Sequence, residues 1–286
     1  MKSRLILNLV LFLALVGLGL YAYLAPDKKS AEPTFRISTL ARDEISSISI
    51  EPRGKAAIAL KKHEGAWQML APFTTRADPF QIDRLLDIAQ ATSTQQFARE
   101  QLERFNLDSA SLVVTINGKT FSFGSINSVT NEQYLATDEA VYLVPPYLGY
   151  SVPADPSKLF SHKLLGPNES PVAFDFGAWK LVKDERGSWK PEGNLPKKEM
   201  DLSADDINQW AAEWQLASSL ETRPHDRSRG RERIKLKLQD GREVVVEIIT
   251  RKPVVVLARI DENMRYQFGA DAGSRLLDPG MVAASH

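Results

Sequence analysis

The side chains that could do chemistry are few and scattered. Asp83 and Asp87 lie one helical turn apart, a spacing that could pair two carboxylates for acid–base work. Arg76-Ala77-Asp78 places a cation close to an anion. Arg223, Arg227, Arg229, Arg231 and Arg233 crowd the stretch R-P-H-D-R-S-R-G-R-E-R, which could contact an anionic partner: lipid headgroups, an acidic protein face or a cell-wall polymer. Against each stands a plainer reading. The aspartates suit the solvated face of an amphipathic helix, and Asp78 suits a helix cap with Arg76 pairing locally to it or to Asp83. The arginines suit an exposed loop between a helix and a strand.

The remaining chemistry is narrowed by spacing. His63, His162, His225 and His286 show no H-x-x-x-H or H-E-x-x-H pattern and are expected at turns or the surface, so no metal site is assigned. There is no Gly-rich phosphate loop, so the chain is not the ATPase of a transporter. Neither a G-x-S-x-G elbow nor an S-x-x-K motif is present, so no catalytic serine is assigned. Cysteine is absent, which removes disulfides, thiolate zinc sites and a cysteine nucleophile. No cofactor is implied. Formal charge is zero, so no bulk attraction to nucleic acid follows, and none is expected as a partner.

The elements that must position these residues begin with Leu5–Leu24, an apolar run broken only by Asn8. Twenty helical residues rise roughly 30 Å, the thickness of a bilayer's hydrocarbon core. Lys2 and Arg4 precede the run, and Tyr21 and Tyr23 close it. The expectation is a single-pass anchor through residues 5–24, with a cytoplasmic N-terminus and the bulk of the chain exported. A removed signal peptide is the alternative, but Tyr23 and Leu20 are poor residues three before a cut.

The organisation expected is an anchor over 1–25, a tether over 26–36, a first unit over 37–145, a Pro-rich connection over 146–170, a second unit over 171–278 and a tail over 279–286. Each unit reads as short strands, a capped amphipathic helix, then two hairpins. In the first, Asp78 caps, Pro79 opens the helix, Gln81 can complete a capping box, and Ile82, Leu85, Leu86 and Ala89 form its apolar stripe. In the second, Ser203 caps, and Ile207, Trp210, Ala211 and Trp214 form the stripe. Asn117-Gly118 and Asp240-Gly241 mark corresponding hairpin turns. The landmarks recur about 120 residues apart in the same order, a tandem repeat of architecture rather than of letters. The fold class expected is α+β: two similar units of antiparallel strands, each with one principal helix.

The stretch A-W-Q-M-L-A-P-F-T-T-R-A-D-P-F-Q-I-D-R-L-L resembles an uncharacterised bacterial family, the DUF4340 domain proteins. The resemblance extends loosely from Ile37 to Leu165, where L-F-S-H-K-L-L takes the place of a family element that carries Arg-Asp at Ser161-His162. It implies an N-terminally anchored envelope protein of the bacterial cytoplasmic membrane. Relatives of this kind are often linked, as auxiliary subunits, with ABC-type transporters of the gliding-motility-associated kind. No catalytic residue is implied. The function expected is therefore a non-enzymatic accessory subunit that contacts the bilayer and other membrane proteins, such as a permease. The alternative is a periplasmic binding module for a glycan or lipid. That alternative requires a cavity between the units lined by tryptophans, whereas Trp67, Trp179, Trp189, Trp210 and Trp214 read first as core.

Overall fold

The computed structural model describes residues 2–24, 33–100, 102–194, 202–226, 230 and 232–283. Helix α1 (Lys2–Leu24) comes first. Within it the described side chains are Ile6 and residues 9–21, and all are exposed. Among the described residues, no helix is long and apolar enough to cross a membrane. The outer parts of the expected span, Leu5, Leu7, Asn8 and Ala22 to Leu24, lie outside the described side chains.

The body is α+β and antiparallel. Its first part contains strands β1 (Phe35–Arg36), β2 (Ser47–Pro52), β3 (Ile58–His63), β4 (Ala66–Ala71) and β5 (Thr75–Arg76), then helix α2 (Pro79–Gln90). After these come β6 (Thr92–Ser93), β7 (Gln96–Phe97), β8 (Leu112–Ile116), β9 (Lys119–Ile126), β10 (Gln133–Ala136), β11 (Val141–Val144) and the short helix α3 (Tyr147–Tyr150). The second part contains β12 (Pro171–Asp175), β13 (Trp179–Lys183), β14 (Trp189–Gly193), α4 (Ala204–Leu216), β15 (Glu221–Pro224), β16 (Glu232–Leu238), β17 (Glu243–Thr250), β18 (Val255–Arg259) and β19 (Met264–Phe268). Two helices, α5 (Ala270–Leu277) and α6 (Gly280–Ala283), end it. Neither helix is among the elements expected from the sequence, and α6 falls within the expected tail over 279–286.

The strand orders are β5-β4-β3-β2-β8-β9-β10-β11-β7 in one sheet and β14-β13-β12-β16-β17-β18-β19-β15 in the other. Replacing β2, β3, β4, β7 and β8–β11 by β12, β13, β14, β15 and β16–β19 turns the first order into the second, apart from β5. The register agrees too. Phe97 on β7 faces Val141, and Thr222 on β15 faces Tyr266, at equivalent places. The order follows from the hairpins: each tight turn forces its strands to be neighbours, and the strand after the helix returns to the far edge.

Local signals account for the helices. Asp78 accepts from the backbone N–H groups of Phe80 and Gln81, and Pro79 opens α2. Ile82, Leu85, Leu86, Ile88 and Ala89 are buried, while Asp83, Arg84 and Asp87 face solvent. In α4 the reciprocal capping box forms between Ser203 and Asp206. Ile207, Trp210, Ala211 and Trp214 are buried, and both indole N–H groups donate to the Leu276 carbonyl, at 3.1 and 2.9 Å. Asn117 and Gly118 both take positive φ, the two-residue turn expected. At Asp240-Gly241 only Gly241 does, and Leu238 donates to the Arg242 carbonyl, so this turn is one residue longer than its counterpart.

The Pro-rich connection is the main departure from the sequence reading. Instead of a bare boundary it is a structural strut. Leu159, Phe160, Leu164 and Leu165 are buried in one hydrophobic core that spans both sheets. The backbone of 159–164 hydrogen-bonds in both directions. Asp78 N–H donates to the Leu159 carbonyl (2.8 Å) and Ser161 N–H to the Arg76 carbonyl (2.9 Å). On the other side Leu164 N–H donates to the Ala217 carbonyl (3.0 Å) and Ser219 N–H to the His162 carbonyl (2.8 Å). Leu220 N–H then donates to the Gln267 carbonyl on β19. Proline frequency marks a loop, but buried backbone must still find partners, and here the partners are the two sheets.

Gly273 shows how tightly α5 sits on β18. A Cβ there would overlap the Val255 side chain. Alanine ordinarily stabilises a helix interior over glycine by roughly 0.5–1 kcal/mol. Here Gly273→Ala is expected to destabilise by about 1–3 kcal/mol, the usual cost of overpacking, read as a lower midpoint in thermal unfolding.

Candidate functional site

The sheets meet where β5, the strut and the β18–β19 hairpin converge, and there Arg259 and Glu169 are buried together. Arg259 ends β18, on the same face as Val255 and Leu257, and only 1% of its side chain is exposed. Its Nη1 and Nη2 donate to the two Glu169 oxygens at 2.5 and 3.0 Å. Nη2 and Nε also donate to Asp261, at 2.5 and 3.2 Å, and Nη1 to the Leu164 carbonyl at 3.0 Å. All three of its nitrogens are used.

Arg76 makes a second set of bonds beside it. Nε donates to Glu262 at 2.5 Å, while Nη2 donates to the Lys163 carbonyl at 2.7 Å and the Tyr266 hydroxyl at 3.1 Å. The Tyr266 hydroxyl in turn donates to Glu262 at 2.5 Å. The expected local pairing of Arg76 with Asp78 or Asp83 is therefore wrong. Asp78 is used by the helix cap, Asp83 by Arg42, and Arg76 reaches a hairpin of the other sheet. Backbone direction decides this, since β5 points the side chain at the strut instead of along α2.

Protonation follows the same geometry. Burial works to raise the Glu169 carboxyl, but the hydrogen bonds and charge of Arg259 outweigh it and hold its pKa below the usual value. Burial, then the Glu262 carboxylate, pushes the Tyr266 phenol well above its usual range, so it stays a donor. Burial works against the Arg76 charge, but Glu262 and Tyr266 together outweigh it and its pKa is raised.

Glu169, Asp261 and Glu262 bring carboxylate oxygens within 4.8 Å of one another, a grouping that could hold a cation. The Arg259 guanidinium already bonds two of the three and lies 3.4 Å from the third. The positive charge such a group requires is supplied by the protein, and the chemistry of the cluster is cohesion.

The other candidates are dispersed. Asp83 and Asp87 are both held by Arg42, at 3.1 and 2.8 Å, and do not pair as acid and base. Arg223 pairs with Glu221 at 2.5 Å and Arg233 with Glu247 at 2.6 Å, so two arginines of the Arg-rich stretch have partners within the chain. Arg227, Arg229, Arg231 and His286 lie outside the described residues. His63 is exposed at the end of β3 and His162 is half-buried with Nδ1 3.5 Å from the Ser219 hydroxyl. The His225 side chain is 7% exposed, which corrects its expected surface position. Trp179, Trp189, Trp210 and Trp214 are buried in the core, while Trp67 is half-buried. Beside the charge cluster, Trp67, Ala77, Leu165, Asn168, Gln215 and Leu216 border a cavity of about 650 Å³, into which Arg76 also opens.

Residues 67–223, more than half of the chain, match the family described as a domain of unknown function, DUF4340. The chain belongs to the DUF4340 family. Comparison with curated proteins and with solved structures gives no match. The DUF4340 match starts at Trp67 on the cavity wall and contains Arg76, the strut and Glu169. Arg259, Asp261, Glu262 and Tyr266, which complete the cluster, lie beyond it.

The sequence carried one signal for what was missed. In V-V-V-L-A-R, Arg259 occupies an inward position of a strand whose other inward residues are apolar, so a buried partner had to exist. Removing that partner should be costly. Glu169→Leu is expected to destabilise by ~3–5 kcal/mol, because Arg259 is left buried without its bidentate acceptor. The double change Glu169→Leu with Arg259→Met should recover much of that loss in denaturant titrations. Because the folded-state pKa of Glu169 is depressed, its contribution is present above the ordinary glutamate value of ~4.3 and is lost as pH falls through the lower folded value. Wild type should therefore lose stability more steeply on the acid side than the double variant.

Proposed function

We propose that this DUF4340 chain is a non-enzymatic interaction subunit of the bacterial cell envelope. It is anchored by its N-terminal helix with the two-sheet body outside the cytoplasm, as an accessory part of a multi-component membrane complex of the ABC-type transporter kind. The observation that carries the reading is α1. Its large apolar side chains between Leu9 and Leu20 are each exposed, from 49% for Val16 to 72% for Leu18, and they cover every face of the helix. No described α1 side chain belongs to either hydrophobic core. Apolar surface in water costs about 25 cal/mol per Å², so a lipid or protein phase is needed to cover it. The apolar run of the sequence from Leu5 to Leu24 continues this surface beyond the described side chains, and cationic Lys2 and Arg4 favour a cytoplasmic N-terminus.

The body supports the interaction half of the reading. Arg259 with Glu169 and Arg76 with Glu262 tie the junction together, which suits a rigid platform. The exposed aromatic residues Phe80, Tyr147 and Tyr150 give that platform contact surface. Fractionation tests the anchor: the full chain should stay with membranes through alkaline carbonate extraction, and a chain beginning at Pro33 should not. A periplasm-dependent reporter fused after His286 should be active. Detergent pull-down should recover a permease or ATPase, and recovery of the chain alone would argue against the subunit assignment.

A further inference from the structure

The cavity of about 650 Å³ beside the charge cluster has a composition that the cohesion of the two sheets does not explain. Its volume lies in the range of small-molecule sites, roughly 300–1,000 Å³. Among the five tryptophans, Trp67 alone is not buried, and it borders this cavity. An indole packed against the core on one side and left partly exposed beside a cavity offers an apolar surface on which a ligand ring can rest.

The polar groups around it are available. Nε and Nη2 of Arg76 are committed to Glu262, Tyr266 and strut carbonyls, whereas Nη1 has no partner among the described residues. Gly166 lacks the side chain whose first carbon would stand 3.6 Å from that nitrogen, which keeps the approach open. The amides of Asn168 and Gln215 border the same cavity, both exposed and without a hydrogen-bonding partner among the described residues. An anion is disfavoured: the cations on this cavity, Arg76 and Lys163, are matched by Glu64 and Glu169, and a further negative charge would meet the carboxylates around the Arg76 guanidinium. A neutral acceptor meets no such repulsion. The strongest of these is an amide carbonyl, and the apolar walls at Ala77 and Leu165 suit a methyl group next to it.

We propose that this cavity binds a neutral saccharide bearing an acetamido group. In this site Trp67 carries the sugar ring, Arg76 Nη1 donates to the acetamido carbonyl, and Asn168 and Gln215 bond the hydroxyls. The site is independent of how α1 is anchored, so its failure leaves that reading intact.

Titration of the purified full chain with triacetylchitotriose tests it, followed by tryptophan fluorescence and calorimetry. Saturable binding is expected, with a fluorescence change absent from Trp67→Phe. Trp67→Ala should weaken binding at least about tenfold. Gly166→Ala is the control for folding: the added methyl meets nothing closer than 3.5 Å, so the unfolding midpoint should hold while binding weakens. Three results would overturn the proposal. These are no saturable binding up to about 10 mM, weaker than the usual range of ligand affinities; binding unchanged in both Trp67→Ala and Gly166→Ala; or tighter binding of an acetylated tripeptide than of the sugar.

Discussion

A guanidinium taken out of water must be met by acceptors on every side, because leaving it bare costs more than one core contact returns. At Arg259 this requirement recruits Glu169 from the end of the strut, Asp261 from the adjoining turn and the Leu164 carbonyl from the strut itself. Glu169 is then fixed from its other side by the Gly166 N–H at 2.7 Å. One charge on the last residue of a strand thus sets the path of a segment that begins in the other half of the molecule. Buried ion pairs add little net stability against an apolar alternative, but they penalise misplacement heavily. What the cluster contributes is position, since the sheets have one relative arrangement in which all of these bonds close.

The two halves share a strand order and differ in what fills it. The first helix packs with isoleucine and leucine, whereas the second uses two tryptophans whose N–H groups converge on one carbonyl of α5. Phe174 on β12 lies 4.6 Å from the Trp210 ring and 5.4 Å from Trp214 and Trp189, so the second helix packs through aromatic rings where the first packs through aliphatic side chains. Equivalent positions tolerate this exchange because topology depends on periodicity and turn length, while a core accepts different side chains when total volume and patterning are kept. Duplicated architecture with unlike contents leaves the junction as the place where neither half repeats the other.

What could be read from the sequence was local. The stripes at Ile82–Ala89 and Ile207–Trp214, the Asn117-Gly118 turn and the alternation of Ile234, Leu236 and Leu238 depend on neighbours within a few residues, and they formed as expected. The site did not show, because its pairs are far apart in sequence: Arg76 and Glu262 are separated by 186 residues. The strut was hidden for a related reason. Its hydrogen bonds run to two different sheets, so no period of two or of 3.6 appears, and its prolines read as a linker. Asp83 and Asp87 were placed correctly on the exposed face, but their cation, Arg42, comes from a preceding segment that no helical spacing reveals.

The way the chain enters the body sets its mechanical behaviour. The first described residues of the body are held by the two-residue ladder of β1 against β6, the Ile37 N–H to the Ala91 carbonyl, the Gln90 amide to the Leu40 carbonyl and the Arg42 clamp on α2. A force applied through the N-terminus would meet this short clasp before it reached either large sheet. The clasp is the compliant element and the stapled junction the stiff one. Tension would therefore peel a few residues from the side of α2, lengthening the reach of the body while leaving its two sheets in register.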